Sequence, residues 1–187
     1  MRAPRLAVAA CGLFLATSAV ADLVNENLLV GLPAGYKVGH QAKTGALILT
    51  EMVPVAESVQ DWSEMLTVQV FLGQTRTPES FRNQLAQLWA KSCADSRAAE
   101  IWQGAENGYP SAIWLLACPL NTATGKPEIT WFKGIQGNDS FYLVQKAYRF
   151  MPTPEQNTPW MQYFNQVSVC DSRLADRACP KVAPPAR

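Results

Sequence analysis

The feature that most constrains the fold is a pair of strand-like stretches joined by a short polar turn. Residues 128–136 and 141–150 are rich in aromatic and β-branched side chains, which favour strands. Residues 137–140 between them include Asn138 and Asp139, which accept the backbone conformations that a hairpin tip requires. The sequence therefore predicts an antiparallel hairpin in this part of the chain.

A two-residue turn at Asn138 and Asp139 also decides which residues face each other. It sets three opposed pairs in register: Ile135 with Tyr142, Lys133 with Val144, and Trp131 with Lys146. Because side chains alternate across a strand, the hairpin has two distinct faces. The face suited to a core carries Phe132, Gly134, Phe141, Leu143 and Ala147.

The opposite face mixes aromatic and cationic side chains, a combination that suits contacts with a ligand or protein. It is a candidate binding face, formed by Trp131, Lys133, Tyr142, Lys146 and Tyr148. The alternative is a sandwich in which a helix covers this face and the lysines extend past its rim. Of these two arrangements, the covered one is favoured.

Further strands are expected on either side of this hairpin. Four extended stretches precede it at 27–30, 36–39, 45–53 and 65–71. Asn107 and Gly108 form the strongest short hairpin signal in the chain, because both residues tolerate a positive φ. They predict a second hairpin between residues 99–103 and 111–118.

A first helix is predicted over residues 78–92. Thr77 suits the N-cap, and Pro78 suits the first helical position. Four apolar residues then recur at helical spacing: Phe81, Leu85, Leu88 and Trp89. We expect this stripe to pack against the sheet.

A second helix is expected near the C-terminus. Thr153 begins a capping-box pattern, but Pro159 would break a helix that started there. A fresh start at Thr158 and Pro159 is therefore predicted. Its apolar residues at helical spacing are Trp160, Phe164 and Val167.

These elements predict an α+β fold, a mainly antiparallel sheet of about six to seven strands packed with two main helices. Their order, the aromatic strand 141–144 and the apolar residues Trp160 and Phe164 together resemble the PsbP/DcrB-like α/β/α sandwich family over most of residues 25–170. The resemblance implies a non-enzymatic accessory or adaptor protein without shared catalytic residues. Two strings look like signatures of a narrower secreted bacterial family, residues 62–65 and 134–141.

The N-terminus has the three parts of a secretory signal peptide. Arg2 and Arg5 precede an apolar run at 6–16, which is too short to cross a bilayer, and small residues lead up to Ala21. An N-terminal helix of the domain and a lipidated Cys11 are the less favoured alternatives. We expect cleavage near Ala21 and a periplasmic or secreted protein with three parts: a signal peptide (1–21), one α+β domain (22–170), and a C-terminal disulfide loop with a flexible tail (171–187).

Four cysteines follow the predicted cleavage site. In an oxidising compartment an even number predicts two disulfides, for which three connectivities are allowed. The favoured pairing joins Cys93 to Cys118 and Cys170 to Cys179, and four reduced thiols are the alternative. Zinc is disfavoured because no two cysteines have Cys-x-x-Cys spacing and His40 is the only histidine.

Charge and composition argue against several classes of function. Removal of residues 1–21, which hold two arginines and no acid, leaves 14 of 16 basic residues beside 15 acidic ones. Without a basic excess or cluster, nucleic acid and anionic lipid are not expected partners. We expect no transmembrane segment after residue 21. We also expect no cofactor, since the chain has no phosphate-binding glycine loop or dinucleotide fingerprint.

Catalytic signals are weak. His40 is the one candidate histidine base, and the chain has no Gly-x-Ser-x-Gly motif for it to serve. Four acids lie close together in the sequence: Glu51, Glu57, Asp61 and Glu64. A pair of them could act as acid and base on a glycan, but we favour ordinary roles in loops. No catalytic or metal-binding residue is therefore assigned.

The leading interpretation is a non-catalytic periplasmic protein that binds or supports another component of the bacterial cell envelope. Its expected partner is an envelope protein or a small ligand. The alternatives are a small hydrolase of cell-envelope material and a secreted factor that acts on another cell.

Overall fold

The computed structural model describes residues 23–181; the predicted signal peptide and residues 182–187 lie outside them. No helix in this part of the chain is long and apolar enough to cross a membrane. The elements, in chain order, are β1 (Glu26–Leu29), β2 (Tyr36–Thr44), β3 (Leu47–Pro54), β4 (Glu64–Leu72), α1 (Pro78–Ser92), β5 (Arg97–Glu106), β6 (Tyr109–Asn121), β7 (Lys126–Gln136), β8 (Ser140–Tyr148), α2 (Pro154–Gln166) and β9 (Ser168–Asp171).

Seven of the strands form one antiparallel sheet in the order β2-β3-β4-β8-β7-β6-β5. The other two, β1 and β9, pair as a separate antiparallel ribbon. Helix α1 packs on one face of the large sheet, and α2 packs on the other. The predicted α+β fold, with an antiparallel sheet and two main helices, is confirmed.

The hairpin of β7 and β8 has the register that its turn predicts. Ile135 faces Tyr142, Lys133 faces Val144 and Trp131 faces Lys146. The face predicted to be core is buried under α1, where Phe132, Phe141 and Leu143 contact Trp114 and Leu116 of β6.

Helix α1 has the predicted bounds. The Oγ1 atom of Thr77 accepts a hydrogen bond from the backbone N–H of Ser80 at 3.1 Å, which caps the first turn. Phe81, Leu85 and Trp89 pack against the core, but the prediction is wrong for Leu88, which is 52% exposed. Leu88 lies at the rim of a stripe that is centred on Leu85, so it does not contact the sheet.

Helix α2 begins at Pro154, so the predicted fresh start at Thr158 is wrong. The Thr153 hydroxyl accepts a bond from the Gln156 N–H at 3.4 Å, and Oε1 of Gln156 accepts one from the Thr153 N–H at 2.9 Å. This capping box stabilises the first turn. Pro159 removes only one donor from the helix that follows, and that loss does not prevent the helix from starting at the box.

After α2 the chain forms a strand, β9, that the sequence analysis did not predict. Strand β9 pairs with β1, and Asn107 at the tip of the β5–β6 hairpin donates its side-chain N–H to the carbonyl of Val169 at 2.9 Å. Arg173 then pairs with Asp139 at the tip of the β7–β8 hairpin, at 2.7 Å. The N-terminal and C-terminal segments therefore meet at the same end of the sheet.

Two disulfides are present, with the pairing favoured from the sequence. Cys93, just after α1, is bonded to Cys118 in β6. Cys170 in β9 is bonded to Cys179 and closes the C-terminal loop. The first bond ties the end of a helix to the sheet, and the second holds the loop beside the ribbon.

Candidate functional site

Helix α2 covers the face of the hairpin that the sequence analysis offered as a candidate binding face. Of its five residues, Trp131 is partly buried and four are 3% exposed or less: Lys133, Tyr142, Lys146 and Tyr148. An exposed binding face is therefore wrong for these residues, and the covered alternative holds. The physical reason is that the aromatic rings pack under the helix while both lysines find polar partners inside instead of reaching past the rim.

Lys146 forms the first of two buried ionic contacts under α2. Its Nζ donates to Oε2 of Glu64 at 2.5 Å and to the hydroxyl oxygen of Tyr36 at 2.6 Å. The Tyr36 hydroxyl in turn donates to the same Glu64 oxygen at 2.8 Å. Burial lowers the pKa of Lys146 to about 8, and the Glu64 carboxylate acts in the opposite direction.

Three aromatic rings surround the same amine. The Lys146 Nζ lies 4.0 Å from the ring centroid of Trp160, 4.5 Å from that of Tyr148 and 5.0 Å from that of Tyr36. A cation over an aromatic face is attracted by the ring quadrupole, and the attraction increases when water is excluded. The charged amine is therefore held by β2, β4, β8 and α2 together.

Lys133 makes the second buried contact, at the C-terminal end of α2. Its Nζ donates to the backbone carbonyls of Phe164 at 2.7 Å and Val167 at 2.6 Å, and to Oε2 of Glu106 at 2.9 Å. A cation at this end of a helix satisfies carbonyls that have no helical partner and complements the helix dipole. Burial lowers the pKa of Lys133, against the effect of Glu106.

Two further polar contacts bind α2 to the hairpin. The indole N–H of Trp131 donates to Oδ1 of Asn157 at 3.1 Å, and the Tyr148 hydroxyl donates to the carbonyl of Gln156 at 3.2 Å. Together with the two lysines they fix the position of α2 on the sheet along its whole length. Four of the five residues of the candidate binding face thus serve to hold the helix: Trp131, Lys133, Lys146 and Tyr148.

The outer edge of α2 lines a groove with a volume of about 460 Å³. The opposite wall is the loop that follows β1, residues 30–34. Tyr163 closes one part of the groove, because its hydroxyl donates to the carbonyl of Gly31 at 2.6 Å. The α2 wall is made by Pro159, Trp160, Gln162, Tyr163 and Gln166, followed by Val167.

The lining is mostly apolar and carries no charged side chain. It holds aliphatic, proline and aromatic side chains, the amides of Gln162 and Gln166, and no Asp, Glu, Lys, Arg or His side chain. Burial raises the pKa of Tyr163 to about 12, so this phenol is neutral at physiological pH. The groove therefore offers apolar contact area and neutral hydrogen-bonding groups, and it does not favour a charged ligand.

The sequence analysis missed this groove. It left residues 31–35 between two predicted strands, and it noted Trp160 only as one of three apolar residues at helical spacing in the second helix. The groove joins two segments about 130 positions apart, and no local pattern shows that they meet. The available signal was the recurrence of Tyr163 three positions after Trp160, which places two aromatic rings on neighbouring positions of the helix surface.

Comparisons with known proteins give no family. No family model and no curated protein match the chain. Among solved structures it is similar to the Ran-binding protein Mog1p of Saccharomyces cerevisiae, with 9% identity, a TM-score of 0.42 and coverage of 75% of this chain and 85% of that one. It is also similar to the cyanobacterial PsbP protein CyanoP of Synechocystis sp. PCC 6803, with 9% identity, a TM-score of 0.43 and coverage of 84% and 98%.

A third similar structure is LpqN of Mycobacterium tuberculosis, which is described as involved in cell envelope biogenesis. Its identity is 10%, its TM-score is 0.36, and the match covers 79% of this chain and 83% of that one. At these values no function, family or residue role passes from any of the three proteins to this chain.

The candidate catalytic residues do not converge. His40 is exposed on the edge strand β2, opposite Glu51. Glu57 accepts hydrogen bonds from the N–H and hydroxyl of Ser63 at 2.7 and 2.5 Å, and Glu64 is paired with Lys146. Within residues 23–181, no three His, Cys, Asp or Glu side chains are grouped so as to hold a metal ion. Two of the four acids therefore have structural partners.

Tyr142, the remaining residue of the candidate binding face, belongs to a cluster at the hairpin tip. Its hydroxyl and the backbone N–H groups of residues 138–140 all donate to the carboxylate of Glu26, at 2.6 to 3.3 Å. A side chain at Gly137 would collide with this carboxylate. Glu26 thus fastens β1 to the sheet and positions the loop that forms the groove wall.

Proposed function

We propose that this chain is an exported, non-catalytic protein of the bacterial cell envelope that binds an extended, uncharged, apolar peptide segment of another envelope protein. The groove between α2 and residues 30–34 is the observation that carries the proposal. Its volume of about 460 Å³ lies within the range of about 300–1,000 Å³ that is usual for ligand pockets.

Export is supported by two independent features. The N-terminal sequence predicts a signal peptide with cleavage near Ala21. The two disulfides fit an exported protein, since such bonds persist in oxidising compartments. Edman sequencing of the protein recovered from a periplasmic extract is expected to begin at Asp22. Recovery of the protein from the cytoplasm, with an N-terminal sequence that begins at Met1, would contradict export.

A peptide suits the groove better than a free acyl chain. The lining combines the apolar residues with amide groups at Gln162 and Gln166, one helical turn apart. An amide side chain both donates and accepts hydrogen bonds, so it can pair with the backbone of an extended peptide. An acyl chain would displace water from these amides without offering hydrogen bonds in its place, at a cost in free energy.

The absence of charged side chains from the lining sets the ligand's composition. A charged peptide residue would lose its hydration in the groove without gaining an ion-pair partner, which is unfavourable. We therefore expect aliphatic, proline and aromatic residues in the bound segment. Aromatic-lined grooves bind proline-rich peptides in a similar way, by contact with a preformed extended backbone.

The test is selection from a display library of decapeptides against the purified protein, followed by affinity measurement on individual peptides. Uncharged apolar peptides should be enriched over acidic and basic ones. Leu32→Asp introduces a carboxylate at the groove rim, where the side chain is 56% exposed, and should weaken binding about tenfold or more. Leu120→Asp, at a similarly exposed site away from the groove, should leave it unchanged. Enrichment of charged peptides, or equal binding by the two variants, would contradict the proposal.

A further inference from the structure

Trp160 contributes to both the groove and the buried ionic contact. It forms part of the α2 wall of the groove, and the Lys146 amine lies 4.0 Å from its ring centroid. The indole is 9% exposed, so most of its surface contacts the protein interior. A change at the buried amine can therefore alter the shape of the groove.

The Trp160 indole packs in the buried apolar cluster under α2, and the Lys146 amine adds a charged contact to this packing. Within residues 23–181 the Trp160 side chain makes no hydrogen bond, and its aromatic neighbours are Tyr36 and Tyr163, with centroids 5.3 and 5.5 Å away. Edge-to-face ring contacts are worth only about 0.5–1.5 kcal/mol each beyond their buried area. The cation beneath the ring is the one charged contact that the indole has in this part of the chain.

We infer that the charged amine of Lys146 positions Trp160 in the groove wall, so that protonation of this buried lysine regulates ligand binding. The regulatory part of the inference rests on the proposed function. The positioning part stands on the geometry of the amine and the three rings. When the amine loses its proton, the attraction to all three rings is lost and Trp160 becomes free to shift.

Of the Lys146 amine and the two tyrosines beside it, only the amine changes its charge near pH 8. Glu64 approaches from β4, Tyr36 from β2 and Tyr148 from β8, and Glu57 in the loop before β4 adds a more distant negative charge. Burial lowers the pKa of Lys146 to about 8, against the two carboxylates. Burial raises the pKa of both tyrosines, so they stay neutral while Lys146 titrates.

The positioning part is tested without any ligand. Protein labelled with 5-fluorotryptophan is titrated from pH 6 to pH 10, and the ¹⁹F resonance of Trp160 is assigned with Trp160→Phe. The wild-type resonance should shift with a midpoint near pH 8. Lys146→Met should abolish the transition, whereas Lys133→Met, which removes the other buried amine of the same sheet face, should retain it.

A second variant keeps the test decisive where Lys146→Met fails to fold. Glu64→Gln retains the amine but removes the nearest carboxylate, so the midpoint should move to lower pH. A wild-type resonance that does not titrate, or a midpoint unchanged in Glu64→Gln, would overturn the inference.

The regulatory part uses Nile red, an uncharged apolar dye, as the probe of the groove. Its affinity for the wild type should fall about fivefold between pH 7 and pH 9.5, as loss of the cation–π contact implies, and should be independent of pH in Lys146→Met. Leu32→Asp should remove binding at both pH values. Dye that binds equally at both pH values would overturn regulation and leave the proposed function standing. Dye that does not bind the wild type at all would count against the groove, and the ¹⁹F transition would still decide the role of Lys146.

Discussion

The two helices cover opposite faces of one sheet, but different forces hold them there. Under α1 the core is apolar and aromatic, with Phe81 stacked on Phe141 at 4.8 Å and Trp114 on Phe132 at 5.3 Å. Under α2 the core contains two buried lysines and several directional hydrogen bonds. Apolar packing stabilises a helix without fixing its exact position, whereas directional contacts also fix its position. The face with the directional contacts is the one whose helix forms the groove.

The largest effect should come from the apolar face. Phe141→Ala removes a ring that is fully buried between Phe71 and Phe81, and should lower the free energy of unfolding by about 3–5 kcal/mol. Urea denaturation measures the loss. Leu88→Ala changes an exposed residue of α1, the helix that packs on this face. It should change the free energy of unfolding by less than about 0.5 kcal/mol. Similar losses in both variants would mean that the apolar face is not organised around Phe141.

A smaller loss is expected from the lysine that caps α2. Lys133→Met leaves the carbonyls of Phe164 and Val167 without this donor, and should cost about 2–3 kcal/mol. The cost is limited because Glu106 is partly exposed and can be hydrated. Lys43→Met, at an exposed lysine of β2, serves as the control in the same urea experiment. A Lys133→Met protein as stable as the wild type would remove the contrast between the faces.

The pH dependence of stability separates the faces further. The pKa of Lys146 is about 8 in the folded state and near 10.5 in the unfolded chain, so the unfolded chain binds more protons between these values. Stability therefore rises with pH through this window, by about 2 kcal/mol between pH 7 and pH 9.5 relative to Lys146→Met. The protein should become more stable over the same range in which its groove binds less tightly. If the stability of the wild type relative to Lys146→Met falls or stays constant between pH 7 and pH 9.5, the burial of a charged Lys146 is contradicted.

The smallest effect concerns where α2 begins. Thr153→Ala breaks the capping box and should cost about 1 kcal/mol, close to the cost of Thr77→Ala at the start of α1. Thr158→Ala should cost less, since its hydroxyl donates to a carbonyl within the first turns of the helix and caps no helix end. A larger loss of stability in Thr158→Ala than in Thr153→Ala would indicate that the helix begins at Thr158.

The sequence predicted the parts of the fold that local patterns encode. The turn at Asn138 and Asp139 and the alternation of side chains were enough to give the register of β7 and β8. The start of α1 followed from Thr77 and Pro78. These features depend on neighbours within a few positions, or on one turn that sets a whole hairpin.

The parts it missed depend on contacts between distant segments. Alternation placed Lys133 and Lys146 on one face, but it did not show whether α2 would cover that face. The groove joins residues 30–34 to α2, and strand β9 exists because β1 is there to pair with it. The start of α2 was a local error, because the capping box at Thr153 outweighs the breaking effect of Pro159.

The most direct test of the proposed groove is a titration of ¹⁵N-labelled protein with an uncharged apolar peptide selected from the library. Backbone amide shifts should concentrate in residues 30–34 and in the second half of α2, from Trp160 to Val167. Shifts centred on α1 or on the edge strand β5 would contradict the account, because they would place binding away from the helix that the buried lysines hold.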